Sequence, residues 1–230
     1  MTAHIGIVGV SAEGAALCYR TICAEGAGRM GLPHAHPTVT MHTRSLADYV
    51  ACLDRNDDEG VGGLMLDSAG ALARAGADFL ICPDNTVHRA LPLVRDRSPL
   101  PWLHIAEVAA GEAARRGLSR LAILGTRWLA ASDVYPDALA AHGVDFMRPE
   151  PEEQAEIDRI IMDELVPGIF RPGQTDAFRR ILDRMAGAGC DGAMMACTEI
   201  PLVLEEGGAG LPLLDSTRLL ARAALARAVA

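Results

Sequence analysis

The sequence predicts an α/β protein made of two similar parallel-sheet halves. Three observations carry that prediction. Short apolar runs alternate with helical stretches along the whole chain, the pattern of parallel sheets. The stretch Ala75-Gly76-Ala77-Asp78-Phe79-Leu80-Ile81 is echoed by Ala188-Gly189-Cys190-Asp191-Gly192-Ala193-Met194, an offset of 113 residues between Asp78 and Asp191. Two further matches keep the same order: Ile5-Gly6-Ile7-Val8-Gly9 with Leu121-Ala122-Ile123-Leu124-Gly125, and Leu100-Pro101-Trp102-Leu103 with Leu211-Pro212-Leu213-Leu214. Ordered self-similarity of this kind points to a duplicated unit.

The first half opens with a buried strand from His4 to Val10. The turn Gly9-Val10-Ser11-Ala12-Glu13-Gly14 leads into a helix from about Ala15, and such a turn suits an anion at a helix N-terminus. It matches neither a GxGxxG nor a P-loop pattern, which argues against a nucleotide. Thr38 to His42 alternates as a second strand. A helix from about Ser45, a charged turn over residues 54–58 and a long helix to Ala75 follow. Phe79 to Cys82 is the third strand, Trp102 to Ile105 the fourth, and Glu107 to Arg116 a helix.

The second half starts at Arg120. Leu121 to Leu124 is a strand, and Ser132 is expected to cap a helix running to Ala141. Val144 to Arg148 is a strand that Pro149-Glu150-Pro151 ends. Helices are expected over Glu152 to Val166 and Thr175 to Ala188. Asp191 to Ala196 is a buried strand delivering Cys197-Thr198 to the start of a further helix. Leu211 to Leu214 is a short strand, and Ser216 opens a terminal Ala/Arg-rich helix that can return to the first half. The expected domains are therefore 1–100 with 211–230, and 101–210.

Composition narrows the chemistry. Half of the 230 residues are hydrophobic while aromatics make up 4%, so the core is built from Ala, Leu, Val, Ile and Met. A net charge of −9 argues against nucleic acid or an anionic membrane as partner. All 21 basic residues are Arg, which excludes pyridoxal phosphate held as a Schiff base on Lys. The six cysteines, Cys18, Cys23, Cys52, Cys82, Cys190 and Cys197, form no CxxC pair or zinc spacing. His34 and His36 lie in a Pro-rich loop without other ligands, so no metal is expected. No leader pattern or membrane-length apolar run is visible, and the expectation is a cytoplasmic protein with free thiols.

The repeat singles out one pair of positions. At the offset of 113, Asp84 matches Cys197, Asn85 matches Thr198 and Thr86 matches Glu199. Cys82 matches Met195 and falls inside the strand. Residues at the carboxyl ends of parallel strands are where ligands bind. Free N–H groups at a helix start favour a thiolate. If an approximate two-fold relates the halves, Asp84 and Cys197 flank one small carboxylate. Asn85, Thr86 and Thr198 would hold it, and Ser11, Leu53 and Thr126 would line the cleft. Such a pair serves proton removal and delivery at one carbon, Cys197 abstracting and Asp84 returning. A lone-thiol decarboxylase or isomerase, and a non-catalytic carboxylate-binding protein, remain alternatives. His88 reads as a hydrogen-bonded structural residue, and Arg44 as a solvated surface arginine.

These residues resemble the aspartate/glutamate racemase superfamily. Gly76-Ala77-Asp78 leading to Asp84-Asn85-Thr86-Val87-His88 carries the resemblance, with Gly189 leading to Cys197-Thr198-Glu199-Ile200 and Leu213-Leu214-Asp215-Ser216-Thr217. Leu103-His104-Ile105-Ala106, Leu124-Gly125-Thr126-Arg127 and Ile160-Ile161-Met162-Asp163-Glu164-Leu165 look closest to its L-aspartate/L-glutamate racemase branch. The resemblance implies two pseudo-symmetric α/β domains with the active site in the cleft between them. It also implies a homodimer, no cofactor, and racemisation of an amino acid by two bases. The second catalytic cysteine of the family falls on Cys197, and its Asn-Thr carboxylate-binding pair on Asn85 and Thr86. Three departures stand out. Asp84 replaces the first catalytic cysteine. Gln154-Ala155-Glu156 occupies the region of the lysine that reads a distal carboxylate. Gly9-Val10-Ser11-Ala12 replaces the usual Gly-Gly-Met first turn.

Overall fold

The computed structural model describes residues 2–205 and 210–230. The chain divides into two compact units, Met1–Ile105 with Thr217–Ala230, and Ala106–Ser216. Each holds a four-stranded, wholly parallel sheet.

In the first unit the strands are β1 (Ile5–Gly9), β2 (Val39–Thr43), β3 (Phe79–Ile81) and β4 (Trp102–Leu103), in spatial order β2-β1-β3-β4. Central β1 is buried throughout, as a near-continuous apolar run between helical layers should be. The helices are α1 (Ala12–Met30), α2 (Leu46–Asp54), α3 (Asp58–Arg74) and the short α4 (Leu91–Val94). Helix α1 begins three residues before the expected Ala15, because Ser11 Oγ accepts the Gly14 N–H at 3.1 Å and caps it. A terminal helix, α10 (Ser216–Val229), completes this unit. It buries Leu219, Leu220, Leu225 and Ala228, and Ala3 N donates to Ala228 O at 2.8 Å.

In the second unit the strands are β5 (Arg120–Leu124), β6 (Asp145–Met147), β7 (Gly192–Met195) and β8 (Leu213–Asp215). Their order, β6-β5-β7-β8, repeats that of the first sheet. Helices α5 (Ile105–Arg115), α6 (Arg127–Ala130), α7 (Val134–Ala141), α8 (Pro151–Arg159) and α9 (Gln174–Gly187) surround it. The core joins Ala122, Leu124, Ile157, Phe178, Leu182 and Met195 with Cys197 at its edge. Each such fully buried Leu, Ile or Phe contributes roughly 1.5–3 kcal/mol.

Three expectations change. The boundaries move, because Trp102 pairs with Leu80 of β3 and Leu213 pairs with Ala193 of β7. Thus β4 belongs to the first sheet and β8 to the second. Ser132 caps nothing; its hydroxyl donates to Leu129 O at 2.8 Å, and Thr126 instead caps the intervening α6. The helix expected to Val166 stops at Arg159 and continues as one π-helical stretch, Ile160–Leu165. There the Glu164 carboxyl, 6% exposed, meets Gln174 Nε2 at 2.6 Å.

The repeated Ala-Gly-x-Asp acquires a physical meaning. At the end of α3, Ala77 N donates to Leu72 O and Gly76 N to Ala73 O. At the end of α9, Cys190 N donates to Met185 O and Gly189 N to Ala186 O. Both are Schellman caps, which need a left-handed residue. Gly76 and Gly189 supply it with φ of 86° and 95°. The Asp that follows clamps the first strand of each sheet. Asp78 N donates to His4 O, and Asp78 Oδ2 accepts from His4 N at 2.7 Å. Asp191 N donates to Arg120 O, while its carboxylate accepts from Ser119 N, Ser119 Oγ and Arg120 N at 2.6–2.9 Å.

Candidate active site

In the first unit, Ser11 follows β1 and the Asp84 turn follows β3, at the carboxyl ends of adjacent strands. Pro83, with no N–H to offer, ends the pairing of β3. A short 3-10 turn, Thr86–Ala90, then runs into α4. Asp84 is half-buried, and its Oδ1 accepts the Val87 N–H at 3.2 Å. Asn85 and Thr86 are buried beside it. His88 closes the loop, its Nε2 lying 3.0 Å from Cys82 O, which fixes Nε2 as the protonated nitrogen. Burial, and then the neighbouring His104 ring at 4.5 Å, push the His88 imidazole well below its usual pKa, so it stays neutral.

Cys82 is sealed at 0% exposure, and burial followed by the Asp84 charge pushes its thiol up. It is a core thiol, as its place in the repeat implies. Tyr49 on α2 was not anticipated. It is fully buried, and after burial itself both Cys82 and Asp84 hold its phenol neutral. No periodicity singles out one tyrosine as lying near a turn more than thirty residues away. Leu53 is buried on the same helix. Arg44 pairs with Asp67 at 3.1 Å and reads as a surface ion pair.

The second unit repeats the arrangement. Thr126 follows β5, and Cys197-Thr198 follows β7, again on adjacent strands. Thr126 Oγ1 accepts the Leu129 N–H at 3.4 Å, the counterpart of the Ser11 cap. Gly125 has room for no side chain, since a Cβ there would lie 2.6 Å from Leu129 and 3.1 Å from Ala196 O. After Cys197 the chain forms only a 3-10 turn, Ile200–Leu202, with Pro201 inside it. The helix dipole invoked for this thiol is therefore missing.

Glu199 takes that place in the local chemistry. Its carboxyl is 3% exposed. The Cys197 Sγ–H donates to Glu199 Oε2 at 3.0 Å, and the Thr198 hydroxyl donates to the same oxygen at 2.7 Å. In the sequence Glu199 stood only as the repeat partner of Thr86 and as part of the Cys197-Thr198-Glu199-Ile200 motif, with no role of its own. Elsewhere, Gln154 Nε2 ties α8 to Gly125 O at 2.9 Å and lines an open groove of about 430 Å³ with Arg127 and Arg159. Among the described residues no cluster of three or more His, Cys, Asp or Glu side chains is placed to hold a metal ion. No helix among them is long and apolar enough to cross a membrane.

Residues 6–224 match the Asp/Glu/Hydantoin racemase family. The chain belongs to that family. As a member it is an isomerase of the amino-acid racemase class. It is 26% identical over 161 residues to the broad specificity amino-acid racemase RacX of Bacillus subtilis (strain 168), covering 69% of this chain and 68% of that one. A Yersinia pestis protein assigned to the Asp/Glu racemases superposes with a TM-score of 0.89 at 26% identity, over 99% of this chain and 100% of the other. An aspartate racemase homologue from Pyrococcus horikoshii OT3 gives 0.83 at 26% identity over the whole of both chains. The racemase-family fold thus accounts for both four-stranded parallel sheets.

Proposed function

We propose that this chain is a cofactor-independent amino-acid racemase or epimerase. It acts at Cα by two-base proton transfer, with Asp84 and Cys197 as the two proton-carrying groups. One observation carries the reading. Asp84 and Cys197 occupy the same position in two equivalent turns, each at the carboxyl end of the third strand of its sheet. Inversion at carbon requires a proton to leave one face and another to arrive at the opposite face. A repeated unit with a proton-transferring group at the repeated position meets that demand. Each group contributes about 10²–10⁴-fold as acid or base.

The rest of the barrier lies in the enolate-like charge on the substrate carboxylate, which fixed donors stabilise best. Asn85 and Thr86 are the donors proposed in one unit, with the Thr198 main chain in the other, since the Thr198 hydroxyl is given to Glu199. Ser11, Leu53 and Thr126 are proposed to complete the lining. The absence of lysine, together with the broad specificity of the Bacillus relative, favours substrates beyond the acidic amino acids.

Incubating the protein in D2O with the common L- and D-amino acids tests this. The expected result is Cα deuterium and inversion in at least one amino acid; Cys197→Ser and Asp84→Asn each reduce inversion at least about 100-fold, and each suppresses Cα exchange for a different enantiomer. Undiminished racemisation in either variant, or undiminished exchange of both enantiomers in either variant, overturns the two-base assignment. The single cysteine across the paired positions also supports a second reading, protonation after loss of CO2 from a malonate-type acid. CO2 release without Cα exchange selects that one.

A further inference from the structure

The Glu199 contact changes what the sulfur is before substrate arrives. A thiolate has no proton to give, yet Cys197 Sγ sits 3.0 Å from Glu199 Oε2, an oxygen that also receives the Thr198 hydroxyl. Two donors converging on one carboxylate oxygen is the arrangement of an acceptor. All three residues are buried, so water does not compete for these bonds. The segment that follows the sulfur is a short 3-10 turn, so no helix N-terminus follows it to offset the negative charge beside it. We propose that Glu199 is a positioning residue that keeps Cys197 a protonated, oriented thiol in the resting protein.

The consequence rests on the proposed two-base function. Cys197 then enters the cycle as the acid, and Asp84 enters as the base. The Cα–H bond breaks toward Asp84, whose carboxylate becomes a carboxylic acid. The Cys197 S–H proton forms the new Cα–H bond, leaving a thiolate next to Glu199. That thiolate is a stronger base than an isolated one, because the adjacent carboxylate disfavours its charge. It is thereby suited to remove the poorly acidic Cα proton when the opposite enantiomer binds.

The measurement needs no turnover. Absorbance near 240 nm of each protein minus its own Cys197→Ser counterpart reports the thiolate at this one position. At pH 8 the Glu199→Gln background is expected to show at least about threefold more thiolate than the native background, since a negative charge is removed and an amide N–H is offered. Glu199→Asp, which keeps the charge but withdraws it by one methylene, is expected to fall between. Equal signals in native and Glu199→Gln proteins, or a larger one in the native protein, overturn the proposal. Should Glu199→Gln fail to fold, the Glu199→Asp comparison decides in the same way. Either result stands apart from the deuterium-exchange test, which asks only whether Cα protons move.

Discussion

The turns after β3 and β7 share a backbone plan but differ in what their leading side chain does. In the first, the Val87 N–H is taken by the Asp84 side chain. In the second, the equivalent Ile200 N–H is taken by the Cys197 carbonyl at 3.3 Å. Main-chain closure releases the cysteine side chain to meet Glu199, whereas the aspartate is anchored to its own turn. A duplicated frame can therefore keep its geometry while each copy puts a different side chain at the same position. On the proposed function, Asp84 would carry two duties, capping and chemistry, where Cys197 would carry one.

Among changes that break the contrast between the two turns, the largest effect comes from making the copies alike. Asp84→Cys restores a thiol at both turns and is expected to speed Cα exchange about tenfold, since a thiol titrates nearer neutrality than a carboxyl. It also removes the Val87 cap, at about 1 kcal/mol in urea unfolding. A fall in exchange rate would show that a carboxyl group, and not merely a second acid, is required at residue 84.

The strand clamps offer a second contrast. Asp191→Ala removes three hydrogen bonds to Ser119 and Arg120 and is expected to cost about 2 kcal/mol. Asp78→Ala removes the one to His4 and is expected to cost about 1 kcal/mol. Burial pushes the Asp191 carboxyl up, but the bonds from Ser119 and Arg120 outweigh it and leave the group lowered from 3.8. A lowered acid stabilises the fold above its ordinary value and loses that contribution as pH falls below it. The excess cost of Asp191→Ala is therefore expected to shrink below about pH 3.8, seen in urea midpoints at pH 7 and pH 3.

The smallest effect tests equivalence itself. Gly76→Ala and Gly189→Ala each place a side chain at positive φ with no close neighbour, the nearest atoms being 3.8 Å away. Each is expected to cost about 1 kcal/mol, and the two to agree within about 0.5 kcal/mol. Unequal costs would mean that one cap is supported by packing the other lacks.

These glycines and aspartates explain why so much of the fold was legible in the sequence. A Schellman cap admits little but glycine, and a carboxylate is the natural partner for the N–H groups starting a neighbouring strand. The marks recur because the physical demand recurs. The candidate pair Asp84 and Cys197 was singled out on the same ground, because both residues fall at fixed distances from those marks. What stayed hidden depends on long-range or competing contacts. Pro201 suits the first turn of a helix as well as a 3-10 turn, so the missing helix after Cys197 left no trace. Ser132 looked like a cap until a nearby carbonyl claimed its hydroxyl. The pairing of β4 with β3 and of β8 with β7 joins strands across whole helices, which short patterns do not report.

The threading of the chain through its two units also sets an order of events during synthesis. Ala106–Ser216 is one uninterrupted segment and builds its sheet from its own strands alone. The other unit must wait for Thr217–Ala230, made more than a hundred residues after Ile105. Until then the apolar surface destined to meet Leu219, Leu220 and Leu225 stays bare. A chain stalled in that interval presents a sticky half-built unit, the kind of species that chaperones and proteases sort.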